Sequence, residues 1–322
     1  MTMRRFKRNS LKYVLSGIVL AAAAGQANAV ENGAGMYILG SRTSMGGVVA
    51  PPGTYTQQSY YLYSGSNGGE IVNSGKLQFG IEGRAAIGLT SVLWVPPSEP
   101  VLGGSPYFSL TLPYGYKKSD IEGTLTAPGG TVLSGSKSED SFLFGDPVFG
   151  AGLGWGKGPF FGSLNMLINV PIGDYSTSRS TNVAFNHWAY DFTGAVTWMD
   201  ADSGWQANFA TGVTFNEEND ATNYKSGDEL HVEASVGKAI NPNLTLSLQG
   251  YYYKQISGDS GSGAFLGDFK GEATALGPAV AWNSDWNGTP VALEARWFHE
   301  FNVKNRLEGD AVLFNMTIPL GG

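Results

Sequence analysis

Trp205–Asn216 reads WQANFATGVTFN, and its side chains sort into two files. Trp205, Ala207, Phe209, Thr211, Val213 and Phe215 share one face, while Gln206, Asn208, Ala210, Gly212, Thr214 and Asn216 share the other. A period of two marks a strand. Its length says which kind. Twelve residues at about 3.3 Å each span roughly 40 Å, and a tilt near 40° projects that onto about 30 Å, the depth of a hydrocarbon core. Strands of soluble domains usually run to about 5–6 residues.

The pattern recurs. Phe160, Leu164, Met166, Ile168 and Val170 oppose Ser163, Asn165 and Asn169. Trp188, Tyr190, Phe192, Val196 and Trp198 oppose Asp191, Thr193 and Thr197. Val291, Leu293, Ala295, Trp297 and Phe301 oppose Glu294, Arg296 and Glu300. Working outward gives about twelve strands: Tyr55–Tyr63, Arg84–Val95, Tyr107–Thr126, Phe142–Trp155, Pro159–Val170, His187–Met199, Trp205–Asn216, Glu229–Ile240, Leu244–Gln255, Phe269–Trp282, Pro290–Asn302 and Gly309–Leu320. Pro96, Pro97, Pro100, Pro106 and Pro113 interrupt the early ones, and proline is confined to edges, ends or bulges of a ladder. The expected fold is all-β, a transmembrane antiparallel up-and-down barrel over residues 55–322.

Connections alternate in length, as such barrels require. Short turns fall at Gly156–Gly158, Asp200–Ser203, Asn241–Asn243 and Ser284–Gly288, and longer polar stretches at Ala127–Asp140, Gly173–Asn186, Glu217–Asp228 and Ser257–Asp268. Trp155, Phe160, Trp198, Trp205, Trp282 and Trp286 flank the short turns, whereas Trp188, Phe215 and Phe301 flank the long loops. Aromatic rings at both strand ends are the girdles of a barrel meeting two membrane interfaces. A soluble lipocalin-like barrel has about eight strands and no room inside for this much apolar surface.

The rest of the chain agrees. Arg4, Arg5, Lys7, Arg8 and Lys12 precede a short apolar run at Tyr13–Ala24 and the triplet Ala27-Asn28-Ala29. Those are the parts of a secretory signal over residues 1–29, and the run is too short for a spanning helix. The formal charge of −7 grows more negative once those five cations are removed, which disfavours nucleic acid as a partner. There is no cysteine, and only 15% of residues are charged. A soluble domain usually has about a quarter charged, so much of this surface faces something other than water.

With apolar faces toward lipid, the expected lumen-lining set is Asp191, His231, Glu233, Lys270, Glu272, Glu294, Arg296 and Glu300. Their mixed signs fit either a narrow passage for small solutes or an interior filled with salt bridges. Residues 30–54, rich in Gly and Pro, enter the barrel as a plug or lie in the periplasm. His231, Glu233 and Ser235 share one strand face and are the parts of a hydrolytic site, but steps of nearly 7 Å keep them out of direct contact. The three histidines are too dispersed for a metal centre. The acidic loop around Glu217, Glu218, Asp220 and Asp228 reads as solvated rather than cation-binding. No cofactor site emerges.

Several motifs together resemble the outer-membrane proteins of the MetA-pathway of phenol degradation family, also called SphA-like transporters. They are Gly40, Pro51-Pro52-Gly53-Thr54-Tyr55, Gly145-Asp146-Pro147, Pro171-Ile172-Gly173-Asp174-Tyr175 and a run from Asn216 to His231 containing Thr222, Tyr224, Gly227, Asp228 and Glu229. Gly250–Gln255, Asp259–Ala264, Leu276-Gly277-Pro278 and Asn305–Asp310 complete the set. The resemblance implies a porin-like transporter for aromatic or hydrophobic small molecules in the outer membrane of a Gram-negative bacterium, and supplies no catalytic residues. Its expected partners are outer-membrane lipid, a small-molecule solute and the barrel-assembly machinery. The chain ends Ile318-Pro319-Leu320-Gly321-Gly322 rather than on an aromatic residue, so recognition by that machinery is expected to use Phe314 or another internal signal. The competing readings are a lipid or ester hydrolase of the outer membrane and a non-conducting structural barrel.

Overall fold

The computed structural model describes residues 34–72, 76–126, 132–264 and 270–320, so the signal segment read at 1–29 lies outside it. Thirteen strand segments follow in order: β1 (Gly53–Val72), β2 (Lys76–Val95), β3 (Ser105–Thr126), β4 (Val132–Phe144), β5 (Val148–Lys157), β6 (Phe160–Asn169), β7 (Ala189–Met199), β8 (Trp205–Asn216), β9 (Glu229–Ala239), β10 (Leu244–Gln255), β11 (Glu272–Trp286), β12 (Thr289–Lys304) and β13 (Glu308–Pro319). All pairings are antiparallel, and β1 closes the circle by pairing with β13 as well as β2.

Twelve staves make the wall, because β4 and β5 are two parts of one. β3 carries both along a single edge, with Thr111 opposite Val148 and Tyr114 opposite Phe144. The expected strand Phe142–Trp155 is thus broken at Gly145-Asp146-Pro147. Proline cannot donate to a ladder, and buried Asp146 turns its carboxylate to other work. It accepts the backbone N–H of Gly173 at 2.8 Å, Phe185 at 2.7 Å and Asn186 at 3.0 Å, and Asn169 Nδ2 at 3.1 Å. One carboxylate therefore ties both ends of the β6–β7 connection to the break.

The early strands run longer than their sequence suggested. β1 pairs with β13 only from Tyr55 to Ser66 but follows β2 as far as Val72, which leaves about 20 Å of strand beyond the rim. Within Ala127–Asp140, expected as a loop, Val132–Asp140 is strand and pairs with β3. Beyond the rim β4 has no second strand partner, so it lies outside the lipid. Glu139 there is covered by the β6–β7 connection. Burial would raise its pKa, but hydrogen bonds from Lys137 and Ser180 outweigh that and hold it below the usual carboxylate value.

Side chains alternate as the sequence required. On β7, Ala189, Asp191, Thr193, Ala195 and Thr197 are buried while Phe192 and Val196 are about half exposed. Trp94, Phe160, Trp205, Trp282 and Trp286 are exposed at the short-turn end, and Trp188, Phe215 and Phe301 at the other. The polar files therefore point inward and the greasy ones outward. The short turns are tight: Asn287 and Gly288 both adopt positive φ between β11 and β12, the conformation that matches hairpin twist.

Candidate functional site

The lumen is occupied by the chain's own residues 34–52. They enter β1 at the short-turn end, and their other end lies near the start of β9, where a Cβ on Gly35 would overlap the Glu229 carboxylate. Two different walls hold them.

The polar wall is β6–β9. Glu233 accepts the backbone N–H of Gly40 and of Arg42, one on each carboxylate oxygen, both at 2.7 Å. Ser235 Oγ donates to Thr43 O at 2.5 Å, Ser163 Oγ donates to Gly46 O at 2.7 Å, and Gly47 N–H donates to Thr197 Oγ1 at 3.0 Å. Tyr37 stacks on His231 with ring centroids 3.6 Å apart, and His231 Nε2 meets Asp191 Oδ2 at 2.9 Å. Thr193 and Thr214 donate to the same Asp191 carboxylate. A segment without secondary structure leaves its backbone polar groups open, and buried ones need partners. This wall supplies them.

The aromatic wall is β1 and β10–β13. Tyr251, Phe298, Ala275, Ala311 and Leu313 form a buried cluster, against which Ile38, Leu39, Tyr61 and Tyr63 pack. Tyr251 and Phe298 lie 5.1 Å apart, and both Tyr251 and Tyr63 donate to the Glu300 carboxylate at 2.8 Å. Gly40 sits at φ +82°, and a Cβ there would come within 2.6 Å of the Phe298 ring, so the close approach demands glycine. Arg296 reaches across from β12 to Gly40 O at 2.7 Å and Ser41 O at 2.9 Å while pairing with Glu294 at 2.5 Å. Arg306, between β12 and β13, lies 4.2 Å over the Tyr253 ring.

The long loops interlock above this arrangement. Lys225 and Ser260 exchange backbone hydrogen bonds at 2.9 Å, Asp259 accepts from Gly227 N–H and Tyr224 Oη, and Asn186 donates to Asn219 at 2.8 Å. Thr222 and Asp228 lie within the same loops, the Asp228 N–H donating to Ser257 Oγ at 2.7 Å.

Of the residues expected to line the interior, Asp191, His231, Glu233, Glu294, Arg296 and Glu300 face inward. Lys270 and Glu272 do not. β11 turns Ala273, Ala275, Gly277 and Ala279 inward, so strand parity puts Glu272 outside, where Tyr252, Lys254 and Lys304 meet its carboxylate. Lys270 precedes the strand, is exposed, and donates to Ile256 O at 3.3 Å. Asn216 and Glu229, the strand ends that flank the outer-loop motif, end β8 and begin β9 as expected; both are buried and bonded to each other at 3.1 Å. Ser235 and His231 engage separate partners, so the hydrolytic constellation is not assembled on this strand. Among the described residues no group of three or more His, Asp or Glu could hold a metal ion.

Sequence reasoning missed Tyr37, Thr43 and the β10 residue Gln249 that accepts its hydroxyl proton, Tyr251 and Phe298. The aromatic members stand inside a barrel whose apolar residues were assigned outward. The signal was present in Gly250–Gln255, where three consecutive tyrosines force Tyr251 and Tyr253 inward once Tyr252 faces out.

The family model for the MetA-pathway of phenol degradation matches residues 64–316. The chain belongs to this family. A crystal structure of the COG4313 outer membrane channel from Pseudomonas putida F1 is similar over 88% of this chain and 100% of that one, with TM-score 0.62 and 13% identity. At that identity the likeness establishes the fold. The CymD monoaromatic hydrocarbon channel matches 85% of this chain and 90% of its own at 7% identity, with a TM-score of only 0.42, and carries no argument. No curated protein matches the chain.

Proposed function

We propose that this member of the phenol-degradation family is an outer-membrane transporter for passive uptake of small aromatic or hydrophobic compounds. The observation that carries the reading is the aromatic inner wall. A water-filled porin presents a polar interior, whereas here Tyr61, Tyr63, Tyr251, Tyr253 and Phe298 turn inward from three strands. Such rings offer faces and edges to an aromatic guest and little to a hydrated ion. The family's link to phenol degradation points the same way. Residues 34–52 then govern passage, because a solute crossing the lumen has to move past them or displace them.

The test is uptake of radiolabelled toluene, phenol and glucose by cells with and without the gene. Faster entry of the aromatic compounds alone supports the reading. Equal rates with and without the gene, or faster glucose entry only, contradicts it.

A further inference from the structure

The lumen contains a guanidinium without a carboxylate. Arg42 lies near the hydroxyls of Tyr107 and Tyr37, and its Nη1 donates to Gly46 O at 3.3 Å. Among the described residues no Asp or Glu side chain pairs with it, in contrast to Arg296, which has Glu294. Glu233 is the acid of this neighbourhood, but its two oxygens are taken by the backbone of Gly40 and Arg42. A guanidinium presents five donors in a planar fork, and the Gly46 carbonyl and the Tyr107 hydroxyl do not use all of them.

A second donor beside it is also unused. Asn165 on β6 is 5% exposed, its Oδ1 accepts from Tyr107 Oη at 3.1 Å, and its Nδ2 has no partner. The order of hydrogen bonds fixes that amide. Arg42 has only donors to offer the Tyr107 oxygen, so the single tyrosine proton passes on to Asn165 Oδ1, and Nδ2 is left free. The Tyr107 ring packs into the place of the missing Gly152 side chain, with Cζ 2.4 Å from where a Cβ would stand. A buried N–H without an acceptor is destabilising, so an unsatisfied group at this place calls for an explanation.

We infer that Arg42, Asn165 and Tyr107 form a carboxylate-binding subsite in the lumen, and that the solutes recognised there are small aromatic acids. A carboxylate offers two oxygens in one plane, which the guanidinium fork engages side by side while the amide N–H takes a remaining lone pair. A neutral alcohol or phenol offers one oxygen and satisfies at most part of the set. The inference rests on the uptake reading for why an aromatic solute meets Arg42, and names the class of solute.

Equilibrium dialysis of the purified full-length barrel in detergent, with benzoate and benzyl alcohol as probes, tests it. We expect benzoate to bind at least about tenfold more tightly, in keeping with hydrogen bonds to a charged group. Arg42→Met should abolish the preference, Arg42→Lys should keep part of it, and Asn165→Leu should weaken benzoate about fivefold or more. A heat-dependent gel shift confirms that each variant is a closed barrel. Equal affinity for the two probes, no benzoate binding, or an unchanged affinity in folded Arg42→Met overturns the subsite. Entry of both probes into vesicles without a benzoate preference removes this inference and leaves the uptake reading standing. Arg42-dependent benzoate binding without entry of either probe does the reverse.

Discussion

The polar wall of β6–β9 and the aromatic wall of β1 and β10–β13 hold the same twenty or so residues by different physics. The polar wall satisfies backbone groups that a non-repetitive segment leaves open, through Glu233, Ser235, Ser163 and Thr197. Its contacts are directional and fix which residue sits where. The aromatic wall packs Ile38 and Leu39 against Tyr251 and Phe298 and tolerates sliding better. Register is therefore set by one side and bulk retention by the other, which is the division expected of a segment that has to stay put yet yield to a greasy solute.

The largest effect should follow from breaking the polar side at its one charged clamp. Glu233→Ala strips the acceptor from two buried N–H groups, which should weaken docking of the segment by about 3–5 kcal/mol. Trypsin cleavage after Arg42 measures it: rapid nicking in the variant and protection in the parent. On the aromatic side, Gly40→Ala drives a Cβ into the Phe298 ring at a positive φ and should cost about 1–3 kcal/mol by the same assay. Adding Phe298→Leu should recover part of that loss. If it recovers none, the clash is not the cause.

His231→Phe keeps a ring under Tyr37 but abandons Asp191, and should loosen the segment by about 1–2 kcal/mol, seen as earlier thermal unfolding on a semi-native gel. The smallest effect marks the outer face. Glu272→Ala removes exposed contacts with Lys254 and Lys304 and should change neither gel shift nor trypsin protection, within about 0.5 kcal/mol.

The wall was legible where one periodicity ruled. From Phe160 onward each strand alternates cleanly, so strand positions and the inward side of Asp191, His231, Glu233, Arg296 and Glu300 follow from parity. Before that, β3 was read nearly to its full length in spite of Pro106 at its start and Pro113 where it passes from β5 to β4, but β1 and β2 were read short, because Gly and polar residues after Tyr63 and before Arg84 blur the alternation. Gly145-Asp146-Pro147 looked like the middle of a strand, since nothing local reveals a carboxylate serving a connection some thirty residues on. Lys270 and Glu272 were misplaced by grouping charges as interior without counting parity from Ala273. The occupied lumen was not legible either. Residues 34–52 have no repeat to read, and their partners lie up to 256 residues away in the chain.

The direct test is single-channel conductance in planar bilayers of the intact mature protein and of a variant lacking residues 34–50. With the segment as the main obstruction, the intact barrel should pass small, short-lived currents and the deletion variant should conduct roughly tenfold more, as an unfilled barrel of this strand number would. Equal conductance in the two, with both giving the heat-dependent gel shift, would contradict the account.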